Sequence, residues 1–118
     1  MADVEARVAL SWLMDFYAPL LTPHRRELMR LYCEEDLSLG EIAEQLRITR
    51  QGVSDALKKA KAQLEDYEAK LGLAARERRL RERAGECLAA LENIEVSRAD
   101  APRLDAARRA LNEIINEG

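Results

Sequence analysis

Apolar residues recur at alternating steps of four and three from residue 53 to residue 74, and no other feature of this chain constrains its fold as strongly. We call this series the apolar seam; its members are Val53, Leu57, Ala60, Leu64, Tyr67, Leu71 and Ala74. Such spacing keeps the side chains on one face of an α-helix. It predicts one helix from Arg50 to about Leu71, roughly 33 Å long at 1.5 Å per residue, with Gly72 as its C-terminal stop.

The composition favours helices in the rest of the chain as well. Of the 118 residues, 47% are hydrophobic and 35% are charged, whereas there are only 5 glycines and 3 prolines. This apolar content is enough for a core, so whole-chain disorder is disfavoured. Because β-branched residues are sparse, a sheet protein is disfavoured. We predict an all-α fold of five or six helices.

The first segment, residues 4–21, has the spacing of an amphipathic helix. Its apolar positions at steps of four are Val4, Val8, Trp12 and Phe16. Pro19 should kink or end this helix near Ala18. We expect its aromatic side chains, Trp12, Phe16 and Tyr17, to pack in the core, and a partner-binding surface is the alternative.

Two helix starts follow. Thr22-Pro23 supplies a hydroxyl N-cap and a proline at the first helical position, which predicts a helix to about Cys33. Ser38 and Glu41 fit a capping box before a short helix that ends at Leu46.

The C-terminal third predicts two further helices, over residues 75–96 and about 103–116, separated by a break at residues 97–102. The last helix is expected to bury Leu104, Ala107, Leu111, Ile114 and Ile115.

Residues 39–58 have the pattern of a helix-turn-helix. A short helix, a tight connection at Arg47-Ile48 and a second helix capped by Thr49 follow one another, and Ala43 is small where the two helices must cross. The expected buried side chains are Ile42, Leu46, Ile48, Val53 and Ala56, with Ile48 filling the crossing. An ordinary helical corner is the alternative. We predict a helix-turn-helix domain over residues 1–72 and a C-terminal helical extension over residues 73–118.

Charge is distributed unevenly along the chain. The formal net charge is −3, but residues 1–46 carry 4 basic and 9 acidic side chains, whereas residues 47–63 carry 5 basic and 1 acidic. The positive charge is therefore concentrated in the second helix of the motif, where it would attract nucleic acid despite the acidic total.

Helical geometry places most of these polar side chains on the exposed side of that helix. The candidate nucleic-acid-binding residues are Thr49, Arg50, Gln51, Ser54, Asp55, Lys58, Lys59 and Lys61. Glutamine can pair with adenine and arginine with guanine in a major groove, whereas lysines suit phosphates. Asp55 would oppose a phosphate, although it could accept from a cytosine amine. A solvated charged face is the alternative.

The sequence resembles the YlxM family of small bacterial helix-turn-helix proteins, which are similar to region 4 of sigma-70-type sigma factors. The resemblance lies in residues 31–46 and 49–60, in the stretch from Asp15 to Thr22, and in residues 64–73. It covers roughly residues 8–90. Three positions depart from the family pattern: Arg47 stands where Gly is usual in the turn, Gly52 where Ala is expected, and Ser54 where a Tyr is frequent.

The resemblance implies a regulatory role in the signal recognition particle pathway. The implied partners are DNA or the RNA of the particle, and also the GTPase of the particle or its receptor. A homodimer is expected, because helix-turn-helix proteins commonly pair to reach two half-sites. The apolar seam would supply its interface, unless the C-terminal helices of the same chain cover that seam.

A protein-interaction module without nucleic-acid binding is the alternative function, since a fold does not fix a function. An enzyme is disfavoured because no phosphate-binding glycine loop, nucleophile motif or metal cluster is present in the sequence, and no cofactor is expected. Cys33 and Cys87 lack disulfide or zinc spacing and are expected to be buried small hydrophobes, while His24 is expected at the surface. No signal or membrane-spanning segment is seen, so a cytoplasmic location is expected.

Overall fold

A computed structural model describes residues 2–116, and within that range the backbone forms helices and no strand, as predicted. The helices are α1 (Ala2–Tyr17), α2 (Pro23–Cys33), α3 (Leu39–Leu46), α4 (Arg50–Leu71), α5 (Leu73–Leu91) and α6 (Ala101–Asn116), with a 3-10 turn at Ala18–Leu20 after α1. The long helix predicted from the apolar seam has the expected bounds.

The helix boundaries follow the local chemistry of the sequence. The Thr22 hydroxyl accepts a hydrogen bond from the backbone N–H of Arg25 at the start of α2. Ser38 and Glu41 form the complete capping box at the start of α3, and the hydrogen bonds from Ser38 hold the pKa of the Glu41 carboxyl below its usual value. Gly72 ends α4 with a φ of 64°, in the left-handed region that favours glycine.

Contacts divide the chain into two compact units, Met1–Ala74 and Ala75–Gly118. In the first unit α4 packs against α1, α2 and α3. One buried cluster joins α1 and α2 to the middle of α4 and contains Leu10, Tyr17, Leu21, Met29, Ala60 and Leu64. A second joins α2 and α3 to the start of α4 and contains Leu28, Leu31, Ile42, Ala43 and Val53.

From Val53 to Tyr67 the apolar seam belongs to this intrachain core, whereas Leu71 is 55% exposed. Val53, Ala60 and Leu64 are fully buried, and Leu57 and Tyr67 pack at the edges of the clusters. The proposal that the seam is a dimer interface is therefore wrong, because α1, α2 and α3 of the same chain already cover it. The covering helices are N-terminal, not C-terminal as the alternative assumed.

The buried face of α1 is not the face predicted from the sequence. Tyr17 is fully buried and Phe16 packs against the core, as expected, but Val4 and Val8 are 65% and 64% exposed. The buried side is centred on Leu10 instead. Both sides of α1 carry apolar residues at helical spacing. The sequence pattern alone therefore could not show which of the two sides is buried.

The second unit contains the part of α5 from Ala75 onward and α6. α5 ends at Leu91, earlier than predicted, and Ile94 beyond it is 45% exposed. In α6 no described residue is buried: Leu104, Leu111 and Ile115 are half-buried, and Ala107 and Ile114 are exposed. The predicted burial of these five residues is wrong, because the two helices of this unit do not enclose them.

The cysteine expectations are also corrected. Cys33 is half-buried, and burial raises the pKa of its thiol to about 11, whereas Cys87 is exposed. His24 is exposed, as expected. Between Ala2 and Asn116, no helix combines the length and apolar character that a bilayer-spanning segment needs.

Candidate nucleic-acid interface

Helices α3 and α4 cross as a helix-turn-helix supported from below by α2. Ile42 and Ala43 of α3 meet Val53 of α4, and Leu28 and Leu31 of α2 complete the buried cluster. Ile42, Val53 and Leu28 have no exposed surface. Because interiors of this kind are close-packed, the start of α4 is held rigidly on the rest of the unit.

The turn between the two helices is set by two backbone features. Arg47 ends α3 in the left-handed conformation, with a φ of 59°. Thr49 then caps α4, and its hydroxyl accepts a hydrogen bond of 2.9 Å from the N–H of Gly52. A Cβ at Gly52 would lie 3.0 Å from the same hydroxyl, so the missing side chain leaves room for this cap.

Ile48 does not fill the helix crossing as predicted. It is 37% exposed, and Leu46 and Ala56 are only half-buried at the edge of the cluster. Its Cδ1 atom lies 4.0 Å from the position a Cβ of Gly52 would take, so the side chain lies over the first turn of α4. Leu28 and Leu31 fill the space beneath the crossing instead.

The candidate residues of α4 lie at the surface. Seven of the eight are exposed, namely Thr49, Arg50, Gln51, Asp55, Lys58, Lys59 and Lys61, and Ser54 is half-buried. The Gln51 amide donates a 3.0 Å hydrogen bond from Nε2 to Oδ1 of Asp55. Asp55, whose negative charge would oppose a phosphate, therefore orients the Gln51 amide, which is the group that could contact a base.

Part of this face opens into a groove between α1 and α4 with a volume of about 380 Å³. We call it the basic groove; its charged and polar lining residues are Arg7, Tyr32, Ser38, Arg50, Ser54, Lys58 and Lys61. Lys61 lies 4.0 Å from Glu65, but no acidic side chain in the described part of the chain forms an ion pair with Arg50 or Lys58. These cations are thus available to an external anion.

Comparison with known proteins decides the family. The family profile of UPF0122, described as "Putative helix-turn-helix protein, YlxM / p13 like", matches residues 4–98. A UPF0122 protein of Symbiobacterium thermophilum is 44% identical over 111 residues, covering 94% of each chain. One from Acetivibrio thermocellus is 42% identical over 106 residues, covering 87% of this chain and 91% of its own.

This chain belongs to the UPF0122 family. A further UPF0122 protein, from Geobacillus kaustophilus, is 47% identical over 79 residues, covering 67% of this chain and 72% of its own. No solved structure matches the chain significantly. The family resemblance expected from residues 31–46 and 49–60 is confirmed, and so is the helix-turn-helix.

The structure places all three departures from the family pattern in this UPF0122 chain. Arg47 adopts the left-handed conformation that glycine would adopt without strain. Gly52 lies under the Thr49 cap. Ser54, in place of the aromatic residue, leaves a small side chain in the lining of the basic groove.

Sequence reasoning missed that α1 and α2 contribute to the lining of the basic groove. Arg7 lines the basic groove together with Tyr32, and its guanidinium lies 4.0 Å from the centre of the Tyr32 ring. It also donates hydrogen bonds to the carbonyls of Tyr32 and Leu37 and pairs with Asp36 at 2.8 Å. No periodicity links residue 7 to residue 50, so no sequence signal could have placed them together.

Metal chemistry has no support at this site. The residues that the structure describes contain no group of three or more His, Cys, Asp or Glu side chains arranged to hold a metal ion. The raised pKa of the Cys33 thiol disfavours its reactive thiolate form. What the arrangement offers is hydrogen-bond donors and positive charge for an anionic partner.

Proposed function

We propose that this protein is a regulatory nucleic-acid-binding protein that inserts the exposed face of α4 into a nucleic-acid groove. One observation carries the proposal: Arg50, Lys58 and Lys61 line one groove on a rigidly supported helix. Duplex DNA fits this geometry, since the major groove of B-form DNA admits an α-helix. The RNA of the signal recognition particle would be bound through backbone or loop contacts, because the major groove of A-form RNA is too narrow.

The side chains divide into two roles in this proposal. Arg50, Lys58, Lys59 and Lys61 bind phosphates and position the protein, while the Gln51 amide, Ser54 and Asp55 contact base edges. Thr49 fixes the N-terminus of α4, where free backbone N–H groups favour an anion. Cytoplasmic regulation of the signal recognition particle pathway, with its GTPase or receptor as protein partners, extends the proposal through the family resemblance. A homodimer binding two half-sites through a surface other than the apolar seam is part of the same proposal.

Salt dependence of binding tests the phosphate contacts. Binding of a duplex DNA and of a hairpin RNA is measured by fluorescence anisotropy over a range of salt concentrations, for the parent and for Arg50→Ala/Lys58→Ala. Each phosphate contact that is lost reduces the slope of log affinity against log salt, so the double variant should lower it by about 2 for DNA. The preferred nucleic acid is the one for which the parent has the steeper slope and tighter binding.

A control variant that removes the same number of positive charges shows whether the change in slope comes from the proposed site or from the total charge. Lys70→Ala/Arg109→Ala also removes two cations; Lys70 is paired with Asp66 at the far end of α4, and Arg109 lies in α6. This control should leave the slope unchanged. Equal slopes for the parent and for Arg50→Ala/Lys58→Ala, or no binding of either nucleic acid, would reject the proposal and favour the protein-interaction alternative.

A further inference from the structure

A second groove, with a volume of about 730 Å³, lies between α1 and the segment from the end of α2 to the start of α3, and it shares Arg7 and Ser38 with the basic groove. We call it the acidic groove; its lining includes Val4, Val8, Trp12, Asp15, Asp36 and Glu41. Its floor is the apolar side of α1 that the core leaves uncovered. Val4, Val8 and Trp12 are spaced by four residues, so they form a stripe about 12 Å long at 1.5 Å per residue.

The charges around this stripe are acidic. Asp15, Asp36 and Glu41 line the groove, and Asp15 forms no ion pair with any described residue. The one cation in the lining, Arg7, has a side chain only 17% exposed and is turned towards Tyr32 and Asp36, whereas Asp36 is 81% exposed. The outward-facing charges of the groove are therefore carboxylates.

We infer that the acidic groove binds a basic amphipathic helix of another protein. A helix-in-groove contact needs an apolar stripe for residues at i, i+3 or i+4 and i+7 of the partner, and Val4, Val8 and Trp12 provide one. The flanking carboxylates complement lysines or arginines beside that apolar stripe. Asp15 forms no ion pair with a described residue, and Asp36 and Glu41 remain exposed although they accept hydrogen bonds from Arg7 and Ser38. The same carboxylates disfavour nucleic acid and anionic lipid surfaces as the occupant.

Helix α1 of a second copy does not fit the groove on grounds of charge. On an antiparallel α1 partner, Glu5 near one end of the helix would face Asp15 near the other. The basic residue of α1 that could relieve this repulsion, Arg7, is already paired with Asp36. Like charges placed opposite one another oppose association. This inference does not depend on nucleic-acid binding by α4.

The single tryptophan of the chain makes the test direct, because Trp12 lies in the groove. Tryptophan fluorescence is recorded while the full-length protein is titrated with a tryptophan-free helical peptide of about 18 residues that has leucines on one face and lysines on the flanks. The expected result is a blue shift and saturable binding that weakens with added salt. A peptide with glutamates in place of the lysines, and a scrambled lysine peptide without an apolar face, should not bind.

Two variants locate the site. Val8→Asp changes a side chain that is 64% exposed, so the fold is retained, and it should weaken peptide binding at least about tenfold. Leu80→Asp, at a 46% exposed leucine of α5, is the matched control and should bind as the parent does. Arg50→Ala/Lys58→Ala should also bind the peptide normally, which separates this result from any failure of nucleic-acid binding.

The inference is overturned if the tryptophan spectrum does not respond to the lysine peptide, or if the glutamate peptide binds equally well. It is also overturned if Val8→Asp and Leu80→Asp have the same effect. Sedimentation equilibrium of the free protein tests for self-association. If the protein self-associates and Val8→Asp abolishes this, the occupant of the groove is a second copy and the inference is overturned.

Discussion

Arg47 occupies a left-handed backbone position with a φ of 59°, where a side chain other than glycine costs roughly 1–2 kcal/mol. Gly72 occupies the same region with a φ of 64° at the end of α4. The C-terminal end of α3 therefore carries a strained residue, Arg47, whereas the C-terminal end of α4 carries an unstrained one, Gly72.

Glycine at position 47 and a side chain at position 72 should change the free energy of unfolding in opposite directions. Arg47→Gly should raise the free energy of unfolding by about 1 kcal/mol, because the relief of strain exceeds the added freedom of the unfolded chain. Gly72→Ala should lower it by about 1 kcal/mol, and this cost comes from the backbone alone, since nothing lies within 4 Å of the new Cβ. Urea denaturation measures both; changes of the same sign would contradict the assignment.

Tyr17 is the second residue with a specific energetic role. Its buried hydroxyl donates to the Glu68 carboxylate and accepts from the N–H of Leu73 at 3.1 Å, while Glu68 also accepts from the N–H of Ala74. Burial, together with the hydrogen bond to Glu68, raises the pKa of the Tyr17 phenol above 10.0. The hydroxyl thus satisfies a backbone donor where α5 begins.

This raised pKa predicts a pH dependence of stability. A phenol whose pKa is higher in the folded state stabilises the fold fully below the unfolded value of 10.0, and that contribution is lost as the pH rises from there through the folded pKa. Tyr17→Phe should cost about 1–2 kcal/mol at neutral pH. Above pH 10.0 the difference between parent and variant should shrink; a difference that is constant with pH would rule out this role.

At the scale of whole elements, local chemistry determines helix ends, and tertiary packing determines helix faces. Thr22, Ser38, Thr49 and Gly72 marked their helix boundaries correctly because each acts within one turn of itself. Burial of Val8 depended on which side of α1 meets α4, and no local pattern encodes that choice. The same holds for Ile48, whose place in the core was taken by side chains of α2.

The candidate interface divides in the same way. The exposure of Gln51, Asp55 and Lys58 follows from the helical period counted from buried Val53, so it could be predicted. The groove itself could not, since Arg7 and Tyr32 come from helices distant in sequence. Likewise the length of the apolar seam was predictable, but the identity of the helices that cover it was not.

The seam also provides a prediction at this scale. Leu64 has no exposed surface and Leu71 is 55% exposed, although both belong to the same apolar series. Leu64→Ala should lower the free energy of unfolding by about 2–5 kcal/mol through lost burial and a cavity. Leu71→Ala should change it by no more than about 0.5 kcal/mol. Both variants are measured by urea denaturation at several protein concentrations. Similar losses in the free energy of unfolding for the two variants would indicate that the seam is an interface between two molecules.

For the whole molecule, the two compact units differ in how much they bury. The first contains two clusters of fully buried side chains, while in the second, among the residues the structure describes, Ala84 alone is buried. Regions with few buried apolar contacts open locally at low free energy, whereas core helices open only with global unfolding. Amides of α6 should therefore exchange with deuterium at least about 100-fold faster than those of α4 around Ala60 and Leu64.

Hydrogen exchange measured by mass spectrometry on the full-length protein checks this ordering, and the same experiment bears on function. Nucleic acid bound along α4 should slow exchange at the exposed first turns of α4, beginning at Arg50, and leave α6 unchanged, since the cations of the basic groove lie in the first unit. Equal protection of α6 and α4 in the free protein would contradict the difference in burial. Protection that appears only in α6 on adding nucleic acid would transfer the binding site to the second unit, because local protection marks the segment whose opening the ligand suppresses.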